Sequence, residues 1–323
     1  MLIRGGATET VNSFSEDVRN GLGRPGQKEL PSKYLYDDVG SALFEAITRL
    51  PEYGLTRAEE RILQQHSGEI AEYLTAHGMV VELGSGSGRK TRQILEALAH
   101  HKSMTYCPIE ISSAALVSCE RELDDLAHVS ILGFEAEYLD GLSRAVARRK
   151  PGDAVVVLFL GSSIGNFDRG AAEEFLGKIR RTIEPGDTLL LGTDLEKPLA
   201  QLIPAYDDSL GVTEVFNLNL LARINRELGG DFDLSRFEHV ALYNARARRI
   251  EMHLRSVETQ IVTVEDACFA FRTDETIWTE SCHKYARNEL PEMARRTGFE
   301  CVQQWVDVEW GFAENLFVAV EPQ

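Results

Sequence analysis

An α/β fold, built on a doubly wound parallel sheet with a second unit inserted, is what this sequence predicts. Three observations carry that expectation. Short apolar runs alternate with amphipathic stretches between residues 79 and 192. A loop with glycine at 84, 86 and 88 follows the first of those runs, where a strand would turn into a helix. The alternation stops after Asp194 and resumes only near residue 287.

Up to about residue 56 the pattern is mixed, broken at Pro25, Gly26, Pro31 and Pro51. Residues 57–75 (RAEERILQQHSGEIAEYLT) read as an amphipathic helix, with Thr56 as its cap and Glu59 three positions on. Strands are expected at 79–83, 104–109, 129–132, 154–161 and 188–192, with helices at 89–100, 113–126 and 170–183. Short buried strands alternating with helices imply a parallel sheet covered on both faces. Ligands of such sheets bind at the carboxyl ends of the strands, where the loop after Leu83 lies. Within 197–283 helices are expected at about 207–228 and 233–240, and a strand pair near 249–256 and 260–272. A helix at 287–297 and strands at 301–307 and 314–320 return to the sheet grammar. The expected division is a sheet domain of 57–196 plus 284–323, and a substrate-binding cap of 1–56 plus 197–283. There is no internal repeat and no low-complexity linker.

A chain of 323 residues, 43% hydrophobic and 26% charged, can build one large or two intimate cores. No apolar run approaches the roughly 18 residues that span a bilayer. The start, MLIRGGATETVNSF, lacks the apolar core of a signal peptide. A net charge of −17 argues against nucleic acid, which demands a basic face. Five cysteines without CxxC spacing fit a reduced cytoplasmic setting with no structural metal. A monomeric, cytoplasmic enzyme with a small-molecule substrate, bound to neither membrane nor nucleic acid, fits these facts.

Candidate chemistry gathers after the strands. In MVVELGSGSGRKT (79–91), glycines let the backbone approach a ligand, and the helix start at Arg89–Lys90 offers unpaired N–H donors. GxGxG, with Glu82 two residues before it, is the usual shape of the first motif of S-adenosylmethionine (SAM)-dependent methyltransferases; nicotinamide enzymes use a near variant. Glu110 ends the second strand, where an acid accepts ribose hydroxyls or simply meets solvent. Glu137 and Tyr138, beyond the third strand, suit either an adenine edge and face or a surface loop. Asn166, in GSSIGNF (161–167), is placed near a reacting methyl group or serves as a helix cap.

The remaining motifs narrow the choice. KYLYDDVGSALFEAITRLPEYGLTRAEERIL (33–63), VELGSGSGRKT (81–91), FLGSSIGN (159–166), LLLGTDLEK (189–197), AYDDSLGVTEVFNLNLL (205–221), NRELGGDFDLSRFEH (225–239) and TESCHKY (279–285) occur in order. Together they resemble the histidine-specific N-alpha-methyltransferases of ergothioneine biosynthesis. The likeness runs from about residue 14 to the end, and the segments at 33–63 and 205–239 are far more specific than a glycine loop. The fold this implies is a Rossmann-like class I methyltransferase sheet. The reaction is trimethylation of the α-amino group of L-histidine to hercynine, the first step of that pathway. SAM is the methyl donor, and no metal is implied.

By that resemblance Tyr36, Gly84, Lys90, Glu110, Glu137 and Tyr138 are cofactor-binding positions. Lys90 would reach SAM's carboxylate, Glu110 its ribose, and the Glu137–Tyr138 pair its adenine. Position 110 is usually Asp in the family, and 137–138 is Asp-Phe in well-known members. The glutamates at 110 and 137 keep the charge on a longer arm. Tyr53, Asn166 and Tyr206 would hold the substrate's amino-acid head and are the catalytic candidates. Met252, Glu280 and Cys282 would line the side-chain pocket, with Glu280 binding the imidazole.

Two departures stand out. The family motif runs Glu-x-Ser-x-Lys-(Tyr/Phe), whereas here it is Glu280-Ser281-Cys282-His283-Lys284-Tyr285. A thiol is a weaker hydrogen-bond partner than a hydroxyl, and an unreplaced bond to a ring nitrogen would cost about 1 kcal/mol. Gly54 stands where an aromatic often follows Tyr53. Fungal members act on tryptophan-derived amines, so another aromatic amino acid such as tryptophan is the alternative substrate. Glu280 and Met252 speak against it, because an indole offers no basic nitrogen to a carboxylate, while Cys282 keeps it open. A non-catalytic SAM-binding protein is a third reading, opposed by the presence of Tyr53, Asn166 and Tyr206.

Overall fold

The computed structural model describes residues 2–3, 7–74, 77–100 and 103–321. The chain opens with β1 (Leu2–Ile3), α1 (Ala7–Leu22), β2 (Lys28–Glu29), α2 (Asp38–Ile47) and α3 (Gly54–Tyr73). The alternation follows: β3 (His77–Leu83), α4 (Thr91–Ala99), β4 (Met104–Glu110), α5 (Ser113–Leu123), β5 (Val129–Ile131), β6 (Gly133–Glu135), α6 (Tyr138–Val146), β7 (Ala154–Phe159), α7 (Arg169–Thr182) and β8 (Thr188–Asp194). Next come α8 (Leu199–Leu202), α9 (Val212–Leu228), β9 (Phe237–Asn244), β10 (Arg249–Ser256), β11 (Gln260–Val264), β12 (Ala267–Phe271) and β13 (Thr276–His283). The last elements are α10 (Glu289–Arg296), β14 (Phe299–Asp307) and β15 (Phe312–Ala319).

These elements form two compact units. The first holds Met1–Gly5, Leu55–Glu196 and Lys284–Gln323; the second holds Gly6–Gly54 and Lys197–His283. The N-terminal stretch expected in one piece with the inserted segment is therefore split. Leu2 and Ile3 pair in parallel with Gly133 and Phe134 of β6, at the edge of the large sheet.

In the first unit the strands run β1-β6-β4-β3-β7-β8-β15-β14, with β5 paired to β4. All pairings from β6 to β8 are parallel, and β15 lies antiparallel between β8 and β14. Every residue of β8 is buried, as expected of a strand covered on both faces. On one face Val81, Leu83, Val157 and Phe159 pack with Leu142 of α6, Leu176 of α7 and Met293 of α10. The opposite face carries a polar knot. Glu82 accepts hydrogen bonds from Thr91 Oγ1 at 2.7 and 2.8 Å and from the Tyr106 hydroxyl. Burial pushes the Glu82 carboxyl up to about 7 against these bonds, which pull it down.

The sheet is locked where the chain leaves and re-enters it. Lys284 Nζ meets Asp194 Oδ2 at 2.7 Å, and both residues are buried. Trp310 Nε1 donates to Asp194 Oδ1 at 3.1 Å, and the Asp194 N–H donates to Ser162 Oγ at 2.8 Å. Next to this pair Leu195 bridges in parallel to Tyr285. The Tyr285 hydroxyl donates to the Ile164 carbonyl at 3.3 Å, and the Arg169 guanidinium lies 4.0 Å from its ring centroid.

The second unit has a four-stranded sheet in the order β2-β13-β10-β9 and a separate hairpin, β11-β12. Three local expectations change. The helix expected over 57–75 begins at Gly54, so Thr56 lies inside its first turn, and the Glu59 carboxylate serves the Gly161 N–H and Lys90 rather than a cap. The helix expected at 233–240 is a single 3-10 turn, Leu234–Arg236, because pairing with β10 along its whole length draws Phe237–Asn244 into β9. The strand expected over 260–272 folds on itself. Glu265 turns at φ +53°, and β11 pairs with β12 instead of β10. β6 and α6 fall where the sequence pattern placed no element. Among the described residues no helix is long and apolar enough to cross a membrane.

Two outcomes are expected. Lys284→Met strands a buried carboxylate at Asp194, so urea unfolding is expected to show a loss of about 3–5 kcal/mol. Adding Asp194→Leu to that variant is expected to restore much of the loss; an unchanged deficit would contradict the pairing account. For Glu82, a folded pKa raised from 4.5 to about 7 means stability present at low pH and lost as pH rises through that interval. Glu82→Gln is expected to flatten this part of the stability–pH curve relative to the wild type. An identical slope in both proteins would contradict it.

Candidate active site

In the first unit the loop between β3 and α4 shapes a cradle. Gly84, Gly86 and Gly88 all have positive φ (78°, 52° and 75°), a conformation that penalises any side chain. A Cβ at Gly84 would sit 3.1 Å from the Tyr138 hydroxyl, and one at Gly88 would sit 2.7 Å from Cys119 Sγ. A Cβ at Gly86 would meet nothing within 4 Å, so the middle of the loop faces open space. The Gly86 N–H donates to Glu110 Oε1 at 2.8 Å. Burial raises the Glu110 carboxyl above its usual value, against the N–H groups of Gly86, Ile111 and Ser112.

Glu137 is exposed at the start of α6 and makes no cap with its side chain. Tyr138, next to it, rests edge-on against Phe159 at 5.5 Å and Phe175 at 6.1 Å between ring centroids. Asn166 ends a 3-10 turn, Ser163–Asn166, that follows β7. It does not cap the next helix: Asp168 does, accepting the Ala171 N–H at 2.8 Å. Lys90 pairs with Glu59. Positive-φ glycines, open space over Gly86, the Glu110 carboxyl beside it and a basic side chain at Lys90 fit a nucleoside with an amino-acid tail. Among the described residues no cluster of three or more His, Cys, Asp or Glu side chains could hold a metal ion.

The second unit gathers Tyr36, Tyr53, Tyr206, Met252, Glu280 and Cys282. Tyr36 follows the Ser32–Leu35 turn, and Asp37 caps α2 behind it, accepting the Gly40 N–H at 2.7 Å. The Tyr36 ring stands edge-on to Phe44 at 5.4 Å and Phe216 at 5.5 Å; Phe44 meets Tyr53 at 6.1 Å, and Tyr53 meets Tyr206 at 6.2 Å. The Tyr36 hydroxyl donates to Glu280 Oε1 at 3.3 Å. This sequence-assigned cofactor residue thus lies among the sequence-assigned substrate residues.

Glu280 pairs across the sheet with Met252, and both are buried. Glu280 and Cys282 alternate onto one face of β13, while Ser281 between them turns the other way, half-buried. The one register shift between β10 and β13 falls at Thr279, upstream, so Ser281 does not take the place of Cys282. The Tyr206 hydroxyl donates to Cys282 Sγ at 2.8 Å.

Supporting residues escaped the sequence reading. His239 Nε2 lies 2.7 Å from the Tyr206 carbonyl, and its Nδ1 lies 2.9 Å from Asn217 Nδ2. Asp208 accepts the N–H groups of Val212 at 3.0 Å and Thr213 at 2.8 Å, fixing the start of α9 just after Tyr206. Both residues fall inside motif segments quoted above, AYDDSLG and SRFEH, but spacing alone assigns them nothing. Phe44 and Phe216 carry no polar signal at all.

A family profile described as histidine-specific methyltransferase, SAM-dependent, matches residues 14–319. The histidine N-alpha-methyltransferase of Mycobacterium tuberculosis is 40% identical over 311 residues, 94% of each chain. That of Mycolicibacterium smegmatis is 40% identical over 320 residues, 97% of each chain. Ergothioneine biosynthesis protein 1 of Neurospora crassa is 32% identical across 87% of this chain and 32% of its own length. Matched over nearly its whole length, the chain belongs to the histidine-specific, SAM-dependent methyltransferases.

Proposed function

We propose that the chain transfers three methyl groups from SAM to the α-amino nitrogen of L-histidine, yielding hercynine for ergothioneine biosynthesis, as a cytoplasmic monomer. Family membership makes it a SAM-dependent methyltransferase; the residue roles and the degree of methylation are the proposal. The observation that carries it is Glu280. This buried acid receives the Tyr36 hydroxyl at 3.3 Å and lies opposite Met252, an arrangement suited to a basic ring beside an apolar wall.

When bound, SAM supplies an electrophilic methyl group on a sulfonium. Gly84, Lys90, Glu110, Glu137 and Tyr138 of the first unit are proposed to hold it, and Tyr36 of the second is assigned to it as well. Tyr53 and Tyr206 are proposed to hold the amino-acid head of histidine, and Asn166 is assigned to the same head. An α-amine is largely protonated at neutral pH, so the site must capture the neutral form. A neutral amine is already an adequate nucleophile, and alignment at near-contact distance supplies most of the rate. The face of Tyr53 favours the cation that grows as methyls are added. Glu280 reads the imidazole. Cys282 accepts the Tyr206 hydroxyl, which orients the weaker partner that replaces serine. That thiol is also what favours the second reading, a different aromatic amino acid such as tryptophan.

The test is a competition between histidine and tryptophan for methylation. Glu280→Ala is expected to lower the preference for histidine at least about tenfold, the loss of about 1.4 kcal/mol of discrimination. Unchanged selectivity in that variant would remove the carboxylate from the account.

A further inference from the structure

Behind Lys90 lies a group of side chains that the reaction described above does not use. Two carboxyls converge there, Glu59 from α3 and Glu314 from β15, both fully buried. Glu59 accepts hydrogen bonds from the Gly161 N–H, just after β7, and from Lys90 Nζ. Among the described residues neither oxygen of Glu314 has a hydrogen-bond donor, and its carboxyl faces Glu59. Gly192 of β8 makes the room: a Cβ there would come within 2.8 Å of Glu59 Oε1 and 3.2 Å of Glu314 Oε1.

Two adjoining buried carboxylates facing one ammonium repel each other, and a single shared proton turns that repulsion into a hydrogen bond. Burial lifts the Glu314 carboxyl well above its ordinary range, and Glu59 beside it lifts it further. Burial works against the charge on Lys90, but Glu59, Glu82 and Glu314 outweigh it and keep the ammonium. Among the described residues the charged groups facing the pair are Lys90 and, from β3, Glu82.

We propose that Glu59 and Glu314 share one proton and act as positioning residues for Lys90, setting it to receive the cofactor's carboxylate. With the proton in place the pair carries one negative charge, matched to Lys90. Without it, a second negative charge holds the ammonium back and repels the incoming carboxylate. Both acids are buried too deeply to touch the cofactor and act through Lys90. The inference rests on the reading of Lys90 as the carboxylate's partner.

The experiment is calorimetric binding of S-adenosylhomocysteine, which has the same amino-acid end, from about pH 6 to about pH 9. Wild type, Glu314→Gln, Glu59→Gln and Lys90→Met are compared, so the titrations of Glu82 and of the ligand's own amine cancel in the ratios. Wild-type affinity is expected to fall across the range at least about threefold more steeply than that of Glu314→Gln, whose amide mimics the protonated acid. Glu59→Gln is expected to remove the same steepness and to bind more weakly at the acid end; it carries the test alone if Glu314→Gln does not fold. Lys90→Met is expected to bind more weakly at every pH. Parallel pH profiles in wild type and the glutamine variants, with Lys90→Met still weak, overturn the shared proton and leave Lys90's role standing. Undiminished binding by Lys90→Met overturns both.

Discussion

The buried ion pair between Asp194 and Lys284 is the constraint on which the rest of the sheet unit depends. Asp194 is the last residue of β8 before the chain departs, and Lys284 is the first to return to this unit. Pairing departure with return fixes where the last two strands add to the sheet, so β15 can run antiparallel beside β8. A buried pair is weak evidence for net stability, because desolvation offsets most of the attraction. Its value here is register. Slipping Lys284 by one residue would leave a charge on each side without its partner, and Tyr285 would lose its bridge to Leu195. The turn that carries Asn166 rests on the same lock, through the Tyr285 hydroxyl and Ser162.

Acids dominate the carboxyl ends of the parallel strands. Glu82, Glu110 and Glu314 are all shifted upward, each chiefly by burial, and Lys90 is the cation set among Glu59, Glu82 and Glu314. Such a cradle costs stability at alkaline pH, where more of these groups must ionise without water. It suits a sulfonium cofactor. In the second unit the design differs, with edge-on aromatic rings from Tyr36 to Tyr206 and the buried acid Glu280 close to them. Aromatic faces and a carboxylate suit a substrate with a basic ring and an amine that gains permanent charge.

Much of this was legible from the residues. Parallel strands announce themselves as continuous apolar runs, and AVVVLFLG and TLLLG need no partner to be recognised. The glycine loop was equally plain, since positive φ leaves a residue signature. What escaped depended on tertiary competition. Phe237–Asn244 became a strand because β10 was there to pair with it, and Glu59 left its capping role for Lys90 and Gly161. Cys282 stood out in the motif as a departure, but its bond from Tyr206 required two segments far apart in sequence to meet. Lys284, Asp194 and His239 sat within quoted motifs without assigned roles, because a buried pair or a hydrogen bond to a carbonyl has no spacing rule.

The central claim is that this chain methylates the α-amine of histidine and prefers it to other aromatic amino acids. Mass spectrometry of the products formed from SAM and an equimolar mixture of histidine, tryptophan, tyrosine and phenylalanine tests that most directly. The account predicts a gain of three methyl groups on histidine alone, with Cys282 tolerated. Methylation of another member of the mixture, or of none, would contradict it and point to a pocket redirected at Cys282.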